Sequence, residues 1–191
     1  SMLCLAVALY CAVRIDDGRR WAAGLGVALG VAYFVRPTNA VAVACLLVWV
    51  ATRGRPALAR TLGGLAMTAA VFVVADLLLY GRPLQPYFGA DRLAVTWDTP
   101  EALLGNLVSP SRGLLVYVPL TLLAEYALVT RVRERTITGL EVAVATTIVG
   151  TWVVVSCFPH WWGGWSYGAR FFTDVSPLLA FLLVPVFVRI A

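Results

Sequence analysis

The chain is 191 residues long, 61% hydrophobic and 13% charged, with a mean hydropathy of +0.85; that balance excludes an ordinary soluble domain and fits a polytopic membrane protein. Its net charge of +5 rests on 15 basic residues, every one an arginine. Because these lie in short clusters between apolar runs, they fit anionic lipid headgroups, and nucleic acid is not an expected partner.

Seven apolar runs follow one another: Met2 to Val13, Trp21 to Val35, Ala40 to Ala51, Leu62 to Tyr80, Leu114 to Thr130, Thr138 to Cys157 and Val175 to Ile190. A helical span needs about 20 residues at about 1.5 Å each, so the expected fold is an all-α membrane bundle of about seven passes in one domain. The first run has no basic n-region and no cleavage site, so it does not read as a signal peptide. It reads as a helix cut short at its start, and the last run reaches the chain end without a polar tail; a fragment of a longer protein is expected. Between the second and third runs, Pro37 cannot continue one helix but can begin the next. Arg36-Pro37-Thr38-Asn39 therefore predicts a tight helical hairpin with an arginine at its tip.

Arginine placement predicts the orientation. Arg14, Arg19 and Arg20, then Arg53, Arg55 and Arg60, then Arg131, Arg133 and Arg135 occupy every second loop, with Arg189 ending the last span, as cytoplasmic clusters require. The opposite loops carry isolated arginines: Arg36, Arg82, Arg92, Arg112 and Arg170. The loops Gly81 to Arg112 and Pro159 to Arg170 are thus expected to be extracytoplasmic. In the longer one, Thr99-Pro100-Glu101 supplies a capping hydroxyl, a first-position proline and an acid in the first turn. With Leu103, Leu104 and Leu107 on one face, it predicts a short amphipathic helix on the membrane surface.

The stretch His160-Trp-Trp-Gly-Gly-Trp-Ser-Tyr-Gly-Ala-Arg170 is the first candidate binding surface. Its aromatic rings, Trp165 and Tyr167 among them, offer flat faces, its glycines permit close approach, and Arg170 is a forked cation suited to phosphate. The same rings also suit an interfacial aromatic belt. Ser109-Pro110-Ser111-Arg112-Gly113 is the second candidate: Ser109 capping a helix whose first residue is Pro110 would leave backbone N–H groups facing an anion, beside Arg112 and the Ser111 hydroxyl. Its alternative is an arginine that merely snorkels to the headgroups.

Acids within spans are costly, about 2.5 to 3.5 kcal/mol at a helix centre. Glu125 and Glu141 are expected to pair with nearby arginine clusters. Asp76, about one turn inside Tyr80, suits pairing with an outer arginine, or binding or proton transfer. Asp91, Asp98, Glu101 and His160 are outer candidates for a base, without the spacing of a carboxylate pair, and Asp174 is placed to hold Arg170 across one turn. Cys4, Cys11, Cys45 and Cys157 read as packing residues. With one histidine and no Cys-x-x-Cys pair, a zinc site is not expected.

Three stretches together resemble the GT-C superfamily of polyprenyl-phosphate-dependent membrane glycosyltransferases, which includes bacterial protein O-mannosyltransferase-like enzymes. They are Arg36-Pro37-Thr38-Asn39, Ser109 to Leu114, and Trp162-Gly-Gly-Trp-Ser-Tyr-Gly-Ala-Arg-Phe171, with alanine at 169 where relatives often have proline. The resemblance implies a bacterial plasma-membrane enzyme. Such an enzyme passes a sugar from a polyprenyl-phosphate donor to an extracytoplasmic glycan, lipid or protein acceptor. It also implies donor-binding roles for Arg36, Ser109, Ser111, Arg112, His160, Trp165, Tyr167 and Arg170. The family's catalytic acid usually lies in a first outer loop that has no counterpart here, so the catalytic residue is expected outside this chain. Some relatives use a divalent ion; the outer acids form no cluster to hold one, and no cofactor is expected. A carrier or flippase for an anionic or lipid-linked solute, and a non-catalytic membrane subunit, are the alternative readings.

Overall fold

Helix accounts for 80% of the chain, and no strand occurs among the described residues, so the all-α expectation holds. The structure is a computed structural model and describes residues 1–83, 88, 95, 97–164 and 168–190. Contacts group the chain into two compact units, Ser1–Asp91 and Arg92–Ala191.

The first unit holds α1 (Met2–Val13), α2 (Arg19–Val35), α3 (Ala40–Ala51) and α4 (Arg55–Tyr80). Helices α2 and α4 run side by side in the same direction, because Gly26 and Gly30 of α2 meet Thr61 and Thr68 of α4 in the same order. The backbones touch there. A methyl at Gly26 would overlap the Thr61 carbonyl, one at Gly64 the Ala23 carbonyl, and one at Gly30 would lie 2.8 Å from Thr68 Cβ. Small residues at such a seam let dispersion contacts join helices that gain nothing from the hydrophobic effect in lipid. Thr61 and Thr68 donate their hydroxyls back to the Ala57 and Gly64 carbonyls of their own helix, both at 3.0 Å, so each hydroxyl is satisfied without a partner on α2.

The Arg36–Asn39 hairpin forms as expected. Arg36 is extended (φ −151°, ψ 110°), as a residue before proline should be, and Pro37–Asn39 make one 3-10 turn into α3. Asn39 is buried and donates to the Ala32 carbonyl at 2.9 Å and to Ser1 Oγ at 3.3 Å. At the opposite end, Asp16 in the α1–α2 connection accepts from Arg53 in the α3–α4 connection. The two arginine-bearing connections thus share one end of the unit, as the alternating pattern requires.

The second unit holds α5 (Thr99–Val108), α6 (Leu114–Tyr117), α7 (Leu120–Arg133), α8 (Gly139–Ser156) and α9 (Ser176–Ile190), the last preceded by a 3-10 segment, Arg170–Val175. The expected short helix is present as α5, but its cap position is Asp98, without a side-chain cap bond, rather than Thr99. Its inward face is Ala102 and Asn106, whereas Leu104 is 66% exposed. The reason is α8: Asn106 Nδ2 donates to Ser156 Oγ at 3.0 Å, and Trp152 Nε1 donates to the Leu103 carbonyl at 3.0 Å.

The run Leu114 to Thr130 is not one span. It breaks at Val118 (φ −131°, ψ 69°), because Pro119 pushes its predecessor out of the helical region and has no N–H to give. Beyond α7, Thr138 and Glu141 form a reciprocal capping box at the start of α8. Arg131 Nε lies 2.6 Å from Glu141 Oε1, as expected of that acid, although the N–H is not aimed along the contact. Glu125, by contrast, is exposed and has no ion-pair partner among the described residues.

Three of the seven expected passes have helices long and apolar enough to cross a membrane: Arg55–Tyr80, Gly139–Ser156 and Arg170–Val188. Helices α1 and α3 are 12 residues each and α2 is 17, about 18 Å and about 26 Å long.

Candidate functional site

The two candidate stretches of the second unit meet. Ser109 ends α5 in an extended conformation (φ −59°, ψ 132°), which the following Pro110 imposes. The chain then reverses, with Arg112 N and Gly113 N both donating to the Ser109 carbonyl, at 3.2 and 2.7 Å. Only glycine fits at 113: a methyl there would lie 2.6 Å from Ser109 N and 2.7 Å from the Leu107 carbonyl oxygen. This overturns the expected cradle. Ser109 caps no helix start, and α6 begins at Leu114 after Gly113 with no side-chain cap. Its hydroxyl instead pairs with that of Ser111 at 3.2 Å.

The turn at 109–113 holds the aromatic loop by two hydrogen bonds. Gly168 N donates to the Ser111 carbonyl at 2.9 Å, and Arg112 Nη2 donates to the Gly164 carbonyl at 2.9 Å. Arg112 is therefore a strut between the loops as well as a cation, and its Nε is buried without a hydrogen-bond partner. Gly168 is left-handed (φ +80°) and lies against the Tyr117 ring; a side chain there would be strained. The six-membered ring of Trp161 packs against Gly105 of α5, where a Cβ would lie 2.4 Å from its Cη2 and 2.5 Å from its Cζ3.

These contacts leave a narrow depression lined by Asn106, Arg112, Trp161, Trp162 and Arg170, with only about 10 Å³ open, close to the room one water needs. His160 stands exposed beside it, its ring edge-on to Trp162 at 5.1 Å. Arg170 also borders a larger cleft of about 380 Å³, lined by Leu114, Val118, Phe172, Thr173 and Ser176. That volume falls within the range of small-molecule sites. Its wall is apolar with one guanidinium and two hydroxyl-bearing residues, a composition that suits an amphiphile with a negative head.

Ser111, Arg112, His160 and Arg170 are thus gathered in one region of the second unit, while Arg36 and Asp76 belong to the first unit. Asp76 is 6% exposed near the end of α4, a turn beyond Phe72, whose ring stacks on Phe34 at 4.6 Å. Asp174 is buried within the 3-10 segment that begins at Arg170. Trp165, Tyr167, Asp91 and Arg92 lie outside the described residues. Residues that sequence reasoning passed over are Asn106, Thr173 and Ser176. Asn106 had a signal, an amide placed between apolar residues at helical spacing; Thr173 and Ser176 had none, since hydroxyls are common near helix starts. Among the described residues no group of three His, Cys, Asp or Glu side chains is placed to share a metal ion.

The fold and site define an all-α chain with three helices of membrane-crossing length and an arginine-edged apolar cleft. Compared with protein-family models, curated proteins and solved structures, the chain matches none.

Proposed function

We propose that the chain is an integral membrane protein that binds a polyprenyl-phosphate-linked sugar and takes part in its transfer to an extracytoplasmic acceptor. The observation that carries the reading is Arg170, which borders both the 380 Å³ apolar cleft and the depression lined by Arg112, Trp161 and Trp162. An isoprenoid tail belongs in the cleft, where Leu114, Val118 and Phe172 replace water. The phosphate pairs with Arg170, and the sugar reaches the aromatic loop. Charge-assisted bonds from a guanidinium to a phosphate are among the stronger polar contacts.

The test is transfer of a radiolabelled sugar from a polyprenyl-phosphate donor by membranes containing the full-length protein. Arg170→Ala is expected to lower transfer at least about tenfold, the equivalent of about 1.5 kcal/mol for one charged hydrogen bond, with Arg170→Lys intermediate because it keeps the charge but not the fork. Undiminished transfer by Arg170→Ala sinks the assignment. A second reading, a carrier for the same class of lipid, draws on the helix break at Val118–Pro119, because broken helices line carrier sites and Val118 lines the cleft. Movement of the labelled lipid across sealed vesicles without sugar transfer would favour it.

A further inference from the structure

The narrow depression beside the aromatic loop has a polarity that a phosphate does not satisfy. Asn106, which lines it, is 3% exposed, and a chain of bonds orients its amide. Ser156 Oγ gives its one proton to the Trp152 carbonyl at 2.9 Å, so toward Asn106 it can only accept, and Asn106 Nδ2 donates to it at 3.0 Å. The amide therefore cannot turn over, and its oxygen faces away from Ser156. That oxygen has no hydrogen-bond partner among the described residues and is not sealed off; the depression is the space that Asn106 lines.

Donors stand opposite that acceptor. Arg112 and Arg170 both line the depression, and neither has an acidic partner among the described residues. Arg112 spends Nη2 on the Gly164 carbonyl and keeps Nη1 for another acceptor. The space between these groups is about 10 Å³, room for a single oxygen. A phosphodiester fails there on two counts: it is too large, and it has no proton to give the amide oxygen. A hydroxyl group is the size of one water and both donates and accepts. Trp161 and Trp162 border the same space with their rings at 84° and centroids 6.0 Å apart, a corner of flat apolar surface for the C–H faces of a sugar ring.

We infer that the depression is a subsite for one hydroxyl of the sugar and that Asn106 is the residue that makes it selective. The hydroxyl donates to Asn106 Oδ1 and accepts from a guanidinium of Arg112 or Arg170, while the phosphate stays on the cleft side of Arg170. A site built around a substrate hydroxyl rejects the analogue that lacks it, because its own buried groups are then left unpaired. The inference takes its ligand from the sugar-transfer reading, but the depression and the cleft are tested by different parts of that ligand.

The experiment is equilibrium binding of radiolabelled polyprenyl phosphate, bare or carrying mannose, glucose or galactose, to the full-length protein in detergent. The tightest of the hexose lipids is expected to lose about tenfold in affinity when one particular hydroxyl is removed, the effect of leaving a buried polar group unpaired. Asn106→Leu should erase the difference between that monodeoxy lipid and its parent, whereas a purely structural role for Asn106 would weaken both alike. Binding of the bare lipid reports whether the variant folds, and the deoxy series on the wild type needs no variant. A wild type indifferent to every single hydroxyl, or a leucine variant that still prefers the parent, overturns the subsite while bare-lipid binding leaves the cleft standing. If no lipid binds, the cleft reading falls, and saturation-transfer NMR with the methyl glycosides of the same three hexoses decides the depression alone. Contact abolished by Asn106→Leu upholds the subsite there; contact that survives the substitution, or none at all, overturns it.

Discussion

Gly63 and Gly64 are neighbours with opposite duties. Gly64 faces α2, and a methyl there collides with a main-chain carbonyl that cannot step aside, whereas Gly63 is exposed with nothing within 4 Å of the corresponding position. Gly64→Ala should therefore force α2 and α4 apart and lower stability by about 1–3 kcal/mol, the usual cost of overpacking. Gly63→Ala should raise it by up to about 1 kcal/mol, because alanine is the better helix former. Thermal unfolding in one detergent checks both; the same sign at the two positions would refute the close α2–α4 seam. Arg112 shows a different lesson at this scale. Expected as a free phosphate ligand, it spends a donor on the Gly164 carbonyl, so Arg112→Ala should disturb the aromatic loop as well as any anion bound there.

At the scale of an element, helix ends explain more than helix interiors. In α8, the Thr138 hydroxyl accepts from Glu141 N at 3.2 Å while Glu141 Oε2 accepts from Thr138 N at 2.7 Å. The same carboxylate group meets Arg131 from the end of α7. One acid thus caps one helix and ties it to the last turn of another, where a cation is favourable to the dipole. Thr138→Ala should cost about 1 kcal/mol, read as a lower denaturation midpoint, and an unchanged midpoint would show that the cap is idle. The break between α6 and α7 belongs here too. Pro119 was visible in the run, but an apolar window of seventeen residues hides a proline whenever hydropathy alone is averaged. The break matters because Val118, at the break, faces the cleft.

For the molecule as a whole, sidedness is the property that follows from the connections. Within the first unit the Asp16–Arg53 contact gathers two connections at one end, and the Asn39–Ser1 bond places the hairpin and the start of α1 at the other. In a cysteine-free background, Arg19→Cys and Arg55→Cys should react with an impermeant thiol reagent from one side of sealed vesicles, and Thr38→Cys from the opposite side. Labelling of all three from one side would contradict a bundle that crosses the bilayer and reduce the expected passes to helices lying along it.

Hydropathy and arginine spacing by themselves determined the helical class, the approximate helix positions, the Arg36 hairpin and the pairing of Glu141 with its neighbouring cluster, because each depends on residues close in sequence. The meeting of Ser111 with Gly168, the Gly105–Trp161 contact and the cleft beside Arg170 were decided only in three dimensions. Each joins segments about fifty or more residues apart in sequence, and helical periodicity carries no information about which faces will touch. The mistaken cap at Ser109 has the same root: a serine before a proline reads equally well as the start of one helix or the end of another, and only the packing of α5 on α8 selects the second.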